Sequence, residues 1–401
     1  MQSPATTSRS ASSAWTVFLA FLRLGLTSFG GPAAHIGYFR AEFVERRRWL
    51  SDASFSDVVA LCQFLPGPSS SQLGIAIGLL RAGWPGSIAA WLGFTMPSAL
   101  LLIAFGYGIS HVAALAQSGI VHGLKVVAVA VVAQAVWGMA KSLCPDRPRA
   151  ALAIAAALLT LVLPSAIGQI GAIMVSAAVG LWTLKAADPV PDEQRLPGVS
   201  RAAGGVWLAA FVALLAGLFA WQGSGALPAL LYGFARAGAL VFGGGHVVLP
   251  LLQSVVVPSG AMNDADFLAG YGAAQAVPGP LFTFAAYLGT AMSTPLHGWL
   301  GGLVFLVVIF APAYLLVVGT LPFWDELRRH APMRAAMAGV NAGVVGILLS
   351  ALYDPVWTTA IHSRADFGLA LAAFGLLVQA RISPLVVVLL SALGGWMLTR
   401  I

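Results

Sequence analysis

The sequence predicts an all-α, polytopic membrane protein of about twelve to thirteen transmembrane helices, built as two homologous inverted repeats with broken helices. Three observations carry that prediction. Of the 401 residues, 59% are hydrophobic and 9% charged, against about 25% charged in a soluble domain. Apolar runs long enough to cross a hydrocarbon core of about 30 Å recur almost end to end. The chain also writes one stretch twice: FLRLGLTSFGG at 21–31 and FARAGALVFGG at 234–244 agree at six of eleven positions. Alternating strands of about ten residues, the mark of a membrane β-barrel, are not visible.

The elements follow in order. The first fourteen residues carry one basic residue, Arg9, and no small-x-small cleavage site, so the first helix is expected to be retained. Runs near 15–39, 57–80, 85–109, 113–140, 150–163 and 165–184 make the first repeat, assigned to 1–187. The polar stretch KAADPVPDEQRLPGVSR is the longest in the chain and reads as a linker; with a spacer helix near 204–222 it fills 188–227. Runs near 228–252, 267–290, 296–320, 334–353, 366–380 and 383–399 make the second repeat, 228–401.

The duplication extends beyond the opening pair. LSDASFSDVVALCQFLPGP at 50–68 aligns with MNDADFLAGYGAAQAVPGP at 262–280, matching Asp52 with Asp264, Phe55 with Phe267, Gln63 with Gln275, and both Pro-Gly-Pro triplets. GLKVVAVAVVA at 123–133 aligns with GVNAGVVGILL at 339–349 and sets Lys125 opposite Asn341. One unmatched run between two sets of six turns the second set upside down, as in many secondary transporters. With thirteen crossings, twelve lysines and arginines fall on the N-terminal side and six on the other, which predicts an inside N-terminus and an outside C-terminus. Arg46, Arg47 and Arg48 disobey that count. Either an early segment re-enters the membrane or the cluster lies outside; the matching loop, VVVPSGAMNDAD at 255–266, has no positive charge.

Three cations lie inside apolar runs: Arg23, Lys125 and Arg236, with Lys125 thirteen residues into its run. Each costs about 2.5–3.5 kcal/mol at bilayer depth on insertion scales, so such residues are paired, snorkelling or functional. No acidic residue sits deep in a run; Asp57 and Asp354 fall near ends. The imbalance predicts an anionic ligand that completes the charge pairing. A formal charge of +7 then sets orientation and draws in anions; it does not signal nucleic acid.

Breaks supply the rest of a candidate site. Gly30, Gly31 and Pro32 follow Phe29, and Gly243, Gly244 and Gly245 follow Phe242. Seven residues separate Arg23 from Gly30, about 10 Å along one helix face. Broken helices free backbone N–H groups, tolerated in a membrane only where they line a cavity. Pro66-Gly67-Pro68 and Pro278-Gly279-Pro280 break a second helix in each half. Ser69, Ser70 and Ser71, with Thr283 in the other half, follow them at helix N-termini, where anions bind. Gln63 and Gln275 offer amide donors one turn earlier, and Asn341 stands where the first half has Lys125. The opposing reading makes the glycines close-packing residues and the prolines kinks. His35, His122 and His246 are candidates for a proton-linked role, set against ordinary hydrogen-bonded histidines. Cys62 and Cys144 lack metal-ligand spacing and read as reduced structural residues. No metal or cofactor is expected. No nucleotide-binding loop occurs, so any uphill movement of solute needs an ion gradient, a membrane potential or a partner.

Arg23 followed by Phe29-Gly30-Gly31-Pro32, then Gln63-x-x-Pro66-Gly67-Pro68, both echoed in the second half, resembles the chromate ion transporter family in its long, two-domain form. The resemblance covers essentially the whole chain. It implies a non-enzymatic, multi-pass protein of the bacterial inner membrane that exports chromate and confers chromate resistance; with no nucleotide-binding loop, the expected carrier is driven by the proton motive force, with sulfate as a competing anion. Arg23, Arg236 and Lys125 would then neutralise the dianion and the broken-helix amides would hold its oxygens. Gly245 in place of Pro32, and Asn341 in place of Lys125, imply that the halves contribute unequally. A passive oxyanion channel, a sulfate-type uptake permease and an integral-membrane enzyme on phosphorylated lipid stand as alternatives. The last lacks a deep carboxylate or a His–Ser arrangement. Assembly of copies into a homo-oligomer is left open.

Overall fold

The computed structural model describes residues 13–28, 31–111, 119–163, 165–184, 200–242, 245–327 and 330–398. Among the described residues every regular element is helical. Helix α1 (Ala14–Thr27) begins where the Ser13 hydroxyl accepts from the Thr16 N–H and ends at extended Ser28. Helix α2 (Gly31–Arg40) runs into a wider turn at Ala41–Arg46. The chain reverses between α1 and α2: Phe21 of α1 lies 5.4 Å from Phe39 and 4.8 Å from Phe43. The run at 15–39 is therefore a hairpin that enters and returns.

Helix α3 (Asp52–Phe64), capped by Ser51, leads to the Pro66-Gly67-Pro68 turn. The helical stretch Ser69–His111 is interrupted at Ala82 and Gly83, which divide it into α4 (69–81) and α5 (84–111). Gly78 and Gly86 pack backbone to backbone across that bend, where any side chain would collide. Then follow α6 (Gly119–Leu143), α7 (Arg147–Val162), α8 (Ala166–Thr183) and the spacer α9 (Arg201–Trp221).

The second repeat opens with α10 (Ala226–Leu240) and α11 (Val248–Val256), whose arms meet where Gly233 lies against Val255. Helices α12 (Asp264–Ala276) and α13 (Phe284–Ala291) form its second hairpin: the Tyr287 hydroxyl donates to the Asp266 carbonyl at 2.8 Å, and Phe267 faces Phe284 at 5.1 Å. The remaining helices are α14 (Gly298–Thr320), α15 (Ala331–Ala351), α16 (Arg364–Val378) and α17 (Pro384–Leu398). Among the described residues all thirteen apolar runs of the sequence are represented by helices, and the four that carry Gly-Gly or Pro-Gly-Pro contribute two helices each. By length and composition, five stretches among the described residues suffice to cross a membrane: Ser69–Gly108, Gly119–Leu143, Arg201–Ser224, Gly298–Phe323 and Ala331–Ala360. The shorter apolar helices are hairpin arms or run beside longer neighbours.

The repeats exchange partners. Helix α6 of the first packs on α16 and α17 of the second, and α15 of the second packs on α7 and α8 of the first. The crossings match in detail: Gly123 lies on the backbone of Ser391, and its mate Gly339 lies on the backbone of Ser176. Small residues at both places let the backbones approach.

The hairpins change the count of charge. Because each returns to the end it left, Arg46, Arg47 and Arg48 lie at the same end as α1's N-terminus. Trp49, which Arg81 covers at 5.4 Å, ties that loop to the α4–α5 bend, and Glu42 takes hydrogen bonds from Arg46 and Arg47. Among the described residues the broken runs form four hairpins. Among the described lysines and arginines outside the apolar runs, eleven now lie at that basic end and Arg364 at the opposite one. The basic cluster obeys the charge rule because the first run turns back.

Candidate functional site

The four hairpin tips converge. The Gly67 N–H donates to the Val241 carbonyl at 2.6 Å, and its counterpart Gly279 donates to the Ser28 carbonyl at 2.9 Å. Ser28 and Val241 end α1 and α10, immediately before the two Phe-Gly-Gly breaks. Each Pro-Gly-Pro turn therefore grips the opposite repeat at its break. The glycines are required: φ is +125° at Gly67 and +104° at Gly279, a region costly for any side chain. A Cβ on Gly279 would also stand 2.9 Å from Ser98 Oγ. Phe29, Gly30, Gly243 and Gly244 lie outside the described residues; Phe242 is half-buried beside the tip.

A cavity of about 620 Å³ starts at these tips and runs to the basic end. Its inner wall carries Gly31, Pro32, Gly245, His246, Gln275 and Gly279; one side is the second half of α6, including Gln134, and its mouth carries Ser142, Arg381 and Ser383. The Gln275 side-chain nitrogen is buried without a partner. His246 shares a hydrogen bond with the Tyr271 hydroxyl at 2.8 Å through Nδ1.

The remaining candidates stand elsewhere. Arg23 is exposed on α1, in a stripe with Trp15, Leu19 and Leu26. Arg236 is half-buried on α10, its guanidinium 5.5 Å from the Tyr232 ring. Lys125 lies on α6, with Asp266 as its electrostatic neighbour. Asn341, its mate in α15, has a buried Oδ1 with no partner. Gln63 is exposed near the end of α3, while Ser69, Ser70 and Ser71 form the first turn of α4, with the Ser71 hydroxyl buried and unpartnered. Pro66, Pro68, Pro278 and Pro280 frame the two turns, and Thr283 closes the second by donating to the Pro280 carbonyl at 2.7 Å. His35 is buried edge-on to Phe94 at 5.1 Å. His122 pairs with Asp366 at 2.6 Å near the outer ends of α6 and α16.

A family model described as chromate transporter matches residues 15–182 and matches again over 228–396. The chain belongs to the chromate transporter family. It is 29% identical over 398 residues to a chromate transport protein of Pseudomonas aeruginosa, covering 95% of this chain and 91% of that one. A chromate transport protein of Cupriavidus metallidurans is 27% identical over 335 residues, 83% of this chain and 80% of its own length. A probable chromate transport protein of Synechococcus elongatus is also 27% identical over 335 residues, 83% and 82% of the two chains. No solved structure matches this chain. This member of the chromate transporter family is thus a multi-pass membrane transporter and not an enzyme.

Two wall residues of this transporter escape the sequence argument. Gln134 is the one polar residue of VVAVAVVAQAVW, a signal present but unused. Arg381 falls between the last two apolar runs and so enters only the charge count, not the set of buried cations.

Proposed function

We propose that the chain is a secondary carrier that exports chromate across a bacterial inner membrane, driven by the proton motive force, with sulfate competing for the same path. The oxyanion is collected in the cavity and held at the hairpin tips by Gln275 and the backbone beside Gly31 and Gly279. The positive-inside rule makes the basic end cytoplasmic, so the cavity faces the compartment from which an exporter draws. Arg23, Arg236 and Lys125 stand outside the cavity wall and are assigned no contact with the anion.

One observation carries the reading: the two halves of the inverted pair are in different states. Gln134 and Leu377 line the cavity between α6 and α16. Their repeat mates Ser350 and Thr160 are bonded to each other, Thr160 Oγ1 donating to Ser350 Oγ at 2.8 Å; Leu377 is as buried as Thr160, and the difference in exposure lies between half-buried Gln134 and buried Ser350. Ala135 lines the cavity, while its mate Ala351 is 3% exposed. One side of the pseudo-twofold is parted and the other is shut, the arrangement of a carrier that alternates by exchanging states between repeats. Everted membrane vesicles expressing the chain should accumulate labelled chromate above its equilibrium level and lose that accumulation with a protonophore. Uptake that stops at equilibrium and ignores the protonophore would replace the carrier with a channel.

A further inference from the structure

We propose that Arg381 captures the tetrahedral oxyanion at the cytoplasmic mouth and that Gln134 and Gln275 pass it inward to the hairpin tips. This rests on the reading of the cavity as the transport path. Arg381 is the one arginine or lysine among the described lining residues. A guanidinium presents paired donors that fit two oxygens of an oxyanion, and a single charge at a cavity mouth concentrates anions there. Deeper in, the donors are neutral amides. The Gln275 nitrogen has no protein partner and is free to serve the anion. One cation followed by neutral donors lets a dianion enter without being trapped, which transport demands.

The backbone at Arg381 argues for the side chain's purpose. Helix α16 closes with the Ile382 N–H on the Leu376 carbonyl at 3.0 Å and the Ala380 N–H on the Gly375 carbonyl at 3.1 Å. Arg381 sits inside that closure with φ +52°. This is the left-handed position at which helices favour glycine. A side chain there is retained against the backbone's preference, as happens at functional sites. Nor is it repeated: carrying the α7–α16 register forward sets Pro164 opposite Arg381 in the sequence. The arginine belongs to the cytoplasmic side alone, where an exporter has to collect its anion.

The test compares Arg381→Gly, Arg381→Lys and, as a control at the opposite end, Arg364→Gly, using labelled chromate uptake into everted vesicles at low and high ionic strength. Glycine suits the left-handed backbone, so Arg381→Gly should fold with an unlowered thermal midpoint. Its KM should rise about tenfold or more, the loss of one charge-assisted contact, and the salt dependence of uptake should flatten. Arg381→Lys should keep the salt dependence and recover part of the KM. A merely structural arginine predicts the reverse: improved stability in the glycine variant with wild-type KM and salt response, and that result overturns the proposal. The cargo is separated by running wild type with sulfate and molybdate. If one of these is carried and chromate is not, the chromate reading fails while the Arg381 ratio is read on the anion carried. If wild type moves no anion uphill, the carrier reading fails and the same ratio is read on downhill exchange.

Discussion

Gly346→Ala should open the outer side of the carrier. Gly346 of α15 lies against the backbone of α7, and a Cβ there would stand 2.8 Å from the Ala157 nitrogen, with the Ala153 carbonyl oxygen nearer still. Ordinary contact begins near 3.4 Å, and the Ala153 oxygen is the nearer atom, so the helices must part by more than the roughly 0.6 Å that the Ala157 nitrogen alone would ask. Forcing a methyl into such a contact costs about 1–3 kcal/mol. The cost falls on the state in which α7 and α15 touch, so it enters in full as a difference between states. The ratio of outward-open to outward-shut protein should therefore rise about 5- to 150-fold. The reporter is Ala351→Cys in a Cys144→Ser background, labelled from the outside with an impermeant maleimide; Cys62 is 1% exposed and stays silent. Labelling should be slow with Gly346 and fast with alanine, while Ala135→Cys, its mate in the cavity, should become less reactive from the inside. Unchanged labelling in a variant that elutes as folded protein would refute the idea that the α7–α15 contact depends on state.

Reporter fusions at Arg48 and at Ser259 should fall on opposite sides, with the Arg48 fusion on the same side as a fusion ahead of Trp15; an outside Arg48 contradicts the first re-entrant hairpin. Gly279→Ala should lose about 1–3 kcal/mol of stability through its left-handed backbone and displace the Ser28 contact, read as a lower thermal midpoint in detergent; an unchanged midpoint argues against the tip-to-tip clasp. At Glu42 burial would raise the carboxyl, but hydrogen bonds from Arg46 and Arg47 outweigh it and hold the carboxyl below its ordinary value of 4.5. The stability it gives is therefore present above that value and lost as pH falls through the depressed folded one. Glu42→Gln should narrow the gap in thermal midpoint between pH 7 and pH 3, and an equal gap in both proteins would show that the cluster contributes nothing.

What the sequence made legible was what local chemistry controls. Apolar length marked the helices, and Gly-Gly and Pro-Gly-Pro marked every break, because these residues act on the backbone where they stand. Whether the chain continues or turns back after a break is decided by distant contacts, such as Phe21 on Phe39 and Phe43. Only Arg46–Arg48, on the wrong side of a simple count, hinted at the reversal. Cations inside apolar runs single out Arg23 and Arg236 on helix flanks and pass over Arg381, which lies in a turn at the cavity. Of the two cavity glutamines, Gln275 is marked in the sequence by Gln63 at the same repeat position, whereas Gln134 has Ser350 as its mate and carries no such mark.

The exchange of helices between the repeats sets a schedule for biogenesis. Helix α6 emerges early, but Gly119 and Gly123 on its flank are covered by Gly395 and Ser391 of α17, the last helix described. At ordinary synthesis rates of about 5–20 residues per second, that wait lasts roughly 10–50 s. During it α6 sits in lipid with its small-residue face open to other helices. Neither repeat completes its packing without the other, so α17 locks both halves together.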